Sequence, residues 1–128
     1  MKVKFSWEDS AGSIVPVCTS QVVNRDGISL LSCLLMDDGG VPYLQSISWI
    51  EEGLKKTENV MKAEMEDACW DRESWGVIIC LDRARIYSLN DEDYFDDISP
   101  RQLKGALASW RDFLKTTPKT GYYRNIEL

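Results

Sequence analysis

The chain has 128 residues, of which 44% are hydrophobic, so one domain spanning residues 1–128 can bury an ordinary core without a disulfide or a structural metal. It contains no histidine, which excludes a Ser-His-Asp or Cys-His catalytic site and every histidine-ligated metal centre. Its formal net charge of −6 disfavours nucleic acid and acidic membranes as partners and is compatible with a basic protein partner, although many acidic proteins are acidic only for solubility.

The first third of the chain predicts strands joined by tight turns. Residues Lys2–Trp7 alternate between polar and apolar side chains, which is typical of a half-buried strand. Ile14–Val23 is rich in β-branched residues and contains Pro16, which favours an edge strand. Asn24–Gly27 predicts a hairpin turn, and Ile28–Met36 is expected to be the partner strand, although its leucines would also suit a helix.

The middle third predicts one helix followed by three strands. Pro42 occupies the favoured first position of a helix that should fade near Thr57–Asn59. Val60–Trp70 is interpreted as a strand from its alternation. Trp75–Leu81 (WGVIICL) is apolar on both faces, which predicts a central strand covered on both sides, and Ala84–Leu89 is expected to return as its partner.

The last third predicts an acidic loop and then a helix. Ser99 is suited to cap the helix and Pro100 to begin it. A single apolar stripe follows at helical spacing, formed by Leu103, Leu107, Trp110 and Leu114. Tyr122–Leu128 is expected to add a last strand or to fray. Together these elements predict the α+β class, with a single domain whose mostly antiparallel sheet carries two main helices.

The four cysteines, Cys18, Cys33, Cys69 and Cys80, form no CxxC pair. We expect them to be small buried side chains that stay reduced. No apolar run approaches the roughly 20 residues of a membrane span, and the N-terminal segment lacks the apolar region of a secretory signal. A cytoplasmic protein is therefore expected.

The densest charge in the chain lies in Asn90–Ser99, which reads NDEDYFDDIS. Five carboxylates surround two aromatic residues without a compensating base. Protein interfaces use aromatic anchors ringed by charge, so this segment is the predicted partner-binding site. Its residues are Asp91, Glu92, Asp93, Tyr94, Phe95, Asp96 and Asp97. Alternatively, the two rings point into the core and the acids are only solvated, which would leave Glu64–Glu73 with Trp70 and Trp75 as a different binding face.

Metal binding and catalysis are weaker interpretations of the same residues. Asp91, Asp93 and Asp97 loosely match a calcium loop, but its sixth and twelfth positions hold Asp96 and Gln102 instead of Gly and an acid. Paired carboxylates could serve a hydrolase, yet their spacing has no recognised signature. No GxGxxG or GxxxxGK[ST] loop is present. We therefore expect no cofactor, no metal and no enzymatic activity, with a small carboxylate-dependent hydrolase and a housekeeping adaptor as alternatives.

The segment Trp75–Leu114 places WGVIICLDRARIYSL, an acidic aromatic loop and SPRQLKGALASWRDFL in succession. In this pattern it resembles bacterial polymorphic-toxin immunity proteins, specifically those of contact-dependent growth inhibition. The resemblance implies a partner that is a cognate toxin domain, often a basic nuclease, which the protein neutralises by stoichiometric binding without catalytic residues. It transfers no binding residue, so the assignment of Asp91–Asp97 depends on charge clustering alone.

Overall fold

In the computed structural model, which describes residues 1–128, seven strands form two antiparallel sheets and three helices pack against them. The strands are β1 (Lys2–Ser10), β2 (Ser13–Ser20), β3 (Asp67–Asp71), β4 (Trp75–Cys80), β5 (Ala84–Ser88), β6 (Asp91–Ile98) and β7 (Tyr123–Glu127). The helices are α1 (Leu30–Met36), α2 (Ile47–Met61) and α3 (Pro100–Leu114), and one 3-10 turn, Tyr43–Ser46, precedes α2. The predicted α+β class is confirmed, with two sheets and three helices in place of one sheet and two main helices.

The first sheet has the strand order β2-β1-β7, so the predicted strand with Pro16 lies at its edge, as expected. β1 joins both neighbours in antiparallel register, and Lys2 pairs with Glu127. The amino group of Met1 donates to the carbonyl oxygen of Leu128 at 3.0 Å. The C-terminal segment therefore completes this sheet, which was one of its two predicted outcomes.

The strand prediction for Ile28–Met36 is wrong, because most of this segment forms α1. The hydroxyl of Ser29 accepts a hydrogen bond from the backbone N–H of Ser32 and caps the helix. The four leucines at positions 30, 31, 34 and 35 share one helical face and are all buried, whereas a strand would divide them between two faces. The side chain of Asn24 accepts backbone N–H groups within Asn24–Gly27 and beyond it, so this turn leads into a helix instead of a hairpin.

The strand prediction for Val60–Trp70 is largely wrong. Val60 is fully buried in the last turn of α2, where it extends the apolar face begun by Ile50 and Leu54. Helical periodicity therefore continues past the predicted end of the helix, and β3 begins only at Asp67.

The second sheet has the strand order β3-β4-β5-β6, and β4 lies inside it, as predicted. Val77 and Ile79 are fully buried, but Ile78 on the opposite face is 38% exposed. The prediction that this strand is covered on both sides is therefore wrong, because α1 and α2 cover only one face. We call the uncovered side the outer face.

The main core lies between the first sheet and α3, whose predicted cap and apolar stripe are confirmed. The Phe5 ring contacts Trp110 and Phe113 with centroid separations of 5.0 and 5.7 Å. Trp7 stacks on Phe113 at 5.1 Å, and its indole N–H donates to the hydroxyl of Thr116 at 2.9 Å. All buried apolar side chains join one continuous cluster, so both sheets share a core.

Helix α2 approaches β3 very closely at Gly53. A Cβ atom at this position would lie 2.6 Å from two ring atoms of Trp70, which is 1% exposed. Only glycine therefore lets the helix rest on the indole.

We predict that Gly53→Ala lowers the free energy of unfolding by about 1–3 kcal/mol through overpacking, despite the higher helix propensity of alanine. Gly105→Ala in α3 is the matched control, since its new Cβ would meet only a terminal methyl group of the Leu128 side chain, at 3.1 Å. The control should be neutral or slightly stabilised. Urea unfolding followed by circular dichroism measures both, and equal losses in the two variants would contradict the packing argument.

Candidate protein-binding surface

The predicted acidic loop is a strand, since Asp91–Ile98 forms β6 at the edge of the four-stranded sheet. Aspartate disfavours strands, but pairing with β5 overrides this local preference. All seven predicted partner-binding residues therefore lie on one strand. Five of them are exposed, while Tyr94 and Asp96 are half-buried on the side of the sheet that faces the helices.

Tyr94 connects β6 to the loop that precedes α1. Its hydroxyl donates to Oδ2 of Asp26 at 3.0 Å and accepts from Nδ2 of Asn24 at 2.8 Å. Its ring lies against Trp75, with a centroid separation of 6.3 Å. Tyr94 is thus engaged within the protein, in agreement with the alternative interpretation for this residue, and it fixes the position of the strand.

The outer side of β6 carries a charged and aromatic group formed with Arg85 of β5. The guanidinium donates to both carboxylate oxygens of Asp97, at 2.8 and 3.0 Å, and lies 3.9 Å from the centroid of the Phe95 ring. Hydrogen bonding to Arg85 lowers the pKa of Asp97, and the same contact raises the pKa of Arg85. Phe95 remains 41% exposed, so it is available to a partner.

The other carboxylates of β6 keep their negative charge uncompensated. Five ion pairs occur in the protein, and Asp97 is the only acid of β6 among them. The residues without a basic neighbour at ion-pair distance are Asp91, Glu92, Asp93 and Asp96. They create a negative field along one exposed edge of the molecule.

The sequence interpretation missed Arg85 and the outer face beside it. Strand alternation in ARIYSL places Arg85 and Tyr87 opposite the buried Ala84 and Ile86, and this signal could have found them. Burial, with the nearby Asp71 carboxylate, raises the pKa of Tyr87. Exposed apolar side chains extend the face, namely Ile78, Leu89 and Phe95.

The second acidic segment, Glu64–Glu73, is organised differently. Trp70 is buried beneath α2, so it is not an exposed anchor. Arg72 is only 4% exposed, with its guanidinium 4.5 Å from the Trp49 ring centroid and 5.2 Å from that of Trp70. None of its three guanidinium nitrogens has a hydrogen-bond partner in the protein, and burial lowers its pKa to about 10.

All four cysteines are free, but their predicted burial is confirmed only for Cys18. Burial raises the pKa of the Cys18 thiol to about 11. Cys33 and Cys80 are partly exposed, and Cys69 is exposed because it lies on the outer face of β3. The expectation of four buried thiols is therefore wrong.

No group of three or more His, Cys, Asp or Glu side chains is arranged to hold a metal ion. None of the three helices combines the length and the apolar character that crossing a membrane requires. A scan against protein-family models, a search of curated proteins and a search of solved structures each found no significant match to the chain.

We predict that Asp97→Asn slightly lowers the free energy of unfolding at neutral pH and flattens its acid dependence. Because the folded pKa of Asp97 is lowered, its contribution is complete above the unfolded pKa of about 3.9 and disappears as the pH falls through the folded value. The difference from the wild type should therefore shrink below about pH 4. Asp91→Asn, which removes an acid without a basic partner, is the control, and urea unfolding across the acid range is the measurement. A difference that is independent of pH would contradict the role of the ion pair.

We predict that Arg72→Met leaves the stability unchanged or raises it, whereas Arg72→Ala lowers it by roughly 2 kcal/mol through lost packing. Methionine preserves contact with Trp49 and Trp70 while removing a buried charge that no ion pair compensates. Thermal unfolding at pH 7 compares the two variants. A large loss in Arg72→Met would instead show that attraction to Asp37 and Asp38 stabilises the fold.

Proposed function

We propose that the protein is a cytoplasmic immunity protein that binds a basic toxin domain at a one-to-one ratio and neutralises it by covering its working surface. The observation that supports this function is the row of uncompensated carboxylates on the exposed strand β6. A partner rich in lysine and arginine would gain interactions here that an acidic or neutral partner could not make.

The spacing of these acids allows them to act together on an approaching partner. Acids one or two residues apart on this strand are separated by about 7 Å or less along the backbone, which is shorter than the Debye length of about 8 Å at physiological salt. Such a field can raise association rates with a basic protein to roughly 10⁸–10⁹ M⁻¹s⁻¹. Fast capture suits an inhibitor that must bind its target before the target acts.

The outer face supplies the apolar contact that a stable complex also needs. Phe95 and Ile78 are exposed there beside the Arg85–Asp97 pair. Aromatic and aliphatic anchors in the centre of an interface contribute most of the binding energy, while surrounding charges orient the partner. An inhibitor of this kind blocks access to its target and requires no catalytic residue.

A small carboxylate-dependent hydrolase is the alternative from another class. It would place two carboxylates in a concave site where they flank a substrate. Four of the five acids of β6 are exposed on an edge strand, which favours the binding function. A housekeeping adaptor would use the same surface and differs only in its partner.

Capture of the partner from the native cell tests the proposal. Tagged protein is purified at low and at high salt, and the co-purifying proteins are identified by mass spectrometry. We expect a basic toxin domain to co-purify at a one-to-one ratio at low salt and in a smaller amount at high salt. The toxin domain should be inactive in the purified complex. Capture of a partner without toxic activity would establish the adaptor function instead.

We predict that Asp93→Lys combined with Asp96→Lys slows association with the captured toxin domain by about tenfold or more and removes most of its salt dependence. Glu64→Lys combined with Glu66→Lys makes the same charge change on the exposed connection between α2 and β3 and should have little effect. Stopped-flow measurements at several salt concentrations separate the two variants. Equal slowing by both would show that net charge, and not β6, controls association.

A further inference from the structure

The two edges of the four-stranded sheet differ in their free backbone groups. At the β3 edge, the indole N–H of Trp49 donates to the carbonyl oxygen of Asp71 at 3.1 Å. The ammonium of Lys56 donates to the carbonyl oxygen of Cys69 at 2.9 Å. Side chains of α2 therefore occupy the acceptors that another strand would need, and this edge is closed.

The pairing of β4 with β5 shows which backbone groups of β5 face β6. Cys80 N–H donates to the carbonyl oxygen of Arg83 at 2.8 Å, and Leu89 N–H donates to that of Ser74 at 3.0 Å. Hydrogen-bonding direction alternates along an antiparallel strand. The odd-numbered residues of β5 therefore bond to β4, and its even-numbered residues bond to β6.

The same alternation identifies the free groups of β6. Ile98 and Asp96 pair with even-numbered residues of β5, so their backbone groups are used inside the sheet. The backbone N–H and C=O groups of Phe95 and Asp97 consequently lie in the plane of the sheet and point away from β5, toward solvent at the open edge. No hydrogen bond from a loop reaches them, and β5 is the only element packed extensively against β6.

We propose that the β6 edge accepts an extended, lysine- and arginine-rich segment of a partner protein as a fifth strand of the sheet. The backbone groups of Phe95 and Asp97 would supply the hydrogen bonds of strand addition. The occupant is identified by charge: basic side chains on the outer face of the added strand would lie next to Asp93, which is exposed and has no basic neighbour at ion-pair distance. The identification of this partner as a toxin rests on the proposed function, whereas the site itself rests on the backbone geometry.

The same charges disfavour a second copy of this chain as the occupant. Pairing two β6 strands would place carboxylates opposite carboxylates, which is destabilising. The edge is therefore protected against self-association while it stays open to a basic strand.

The position of β6 is fixed before any partner arrives. Tyr94 bonds to Asn24 and Asp26 on one side of the strand. Arg85 bonds to Asp97 and covers Phe95 on the other side. Because these contacts already hold the strand in place, little ordering is needed on binding, and more of the interaction energy contributes to affinity.

A nuclear magnetic resonance titration of the full chain tests the site with a defined probe. The probe is a capped peptide of alternating lysine and valine, and its matched control is the same peptide N-methylated at every amide. We expect the first peptide to shift the amide resonances of Phe95 and Asp97 and slow their hydrogen exchange, and the methylated peptide to bind more than about tenfold more weakly. Equal affinity of the two peptides, unchanged Phe95 and Asp97 amides, or no binding would overturn the proposal.

A pair of variants tests the same site from the protein side. Phe95→Pro removes the outward N–H, and an edge strand tolerates proline at such a position. Phe95→Ala removes the same ring but keeps the N–H. If the peptide binds as an added strand, the proline variant should bind the lysine–valine peptide about tenfold more weakly than the alanine variant does. Equal affinities of the two variants would contradict strand addition. If Phe95→Pro does not fold, the comparison of the two peptides decides.

The outcomes distinguish this site from the proposed function. Peptide binding that requires the Phe95 N–H, together with cellular capture of a non-toxic partner, would retain strand addition and remove the immunity function. Capture of a toxin domain that binds the proline and alanine variants equally well would retain the immunity function and remove strand addition.

Discussion

The packing of α2 on the Trp70 indole determines which parts of the four-stranded sheet remain accessible. Because Gly53 has no side chain, the helix lies close enough for Trp49 and Lys56 to reach the carbonyl groups of β3. Helix α2 thereby covers the β3 edge and, together with α1, one face of the sheet. The other edge, β6, and the outer face remain open, so the location of the candidate binding surface follows from a contact on the opposite side of the sheet.

The two sides of β6 have separate roles. On the inner side, Tyr94 joins the strand to the loop before α1 through two hydrogen bonds. On the outer side, Arg85 neutralises one acid and orients the Phe95 ring. An exposed ion pair of this kind contributes little to stability. Its main effect is to hold an aromatic ring beside carboxylates that have no partner within the protein.

The sequence predicted α3 well because Ser99, Pro100 and a regular apolar stripe all indicate the same helix. It did not predict α1, since a short run of leucines fits both a helical and a strand pattern. The hydrogen bond by which Ser29 caps the helix distinguishes the two, and it is apparent only in the folded structure. The acidic cluster was visible in the sequence, but its strand conformation was not. Aspartate has a low intrinsic preference for strands, and it is the pairing with β5 that stabilises this one. The contact of Arg85 with Asp97 likewise depends on strand register, which only the folded sheet reveals.

The pairing of β1 with β7 has a consequence for the order in which the molecule assembles. Met1 and Leu128 are hydrogen-bonded although 127 positions separate them in the chain. Closing so long a loop costs conformational entropy, and this cost is offset only by the contacts that form when the core around α3 is complete. Strands β3 to β6, by contrast, follow one another in both sequence and space. The candidate binding edge therefore belongs to the part of the fold with mostly local contacts, which favours early formation, whereas the addition of β7 to the local β1–β2 hairpin must close nearly the whole chain.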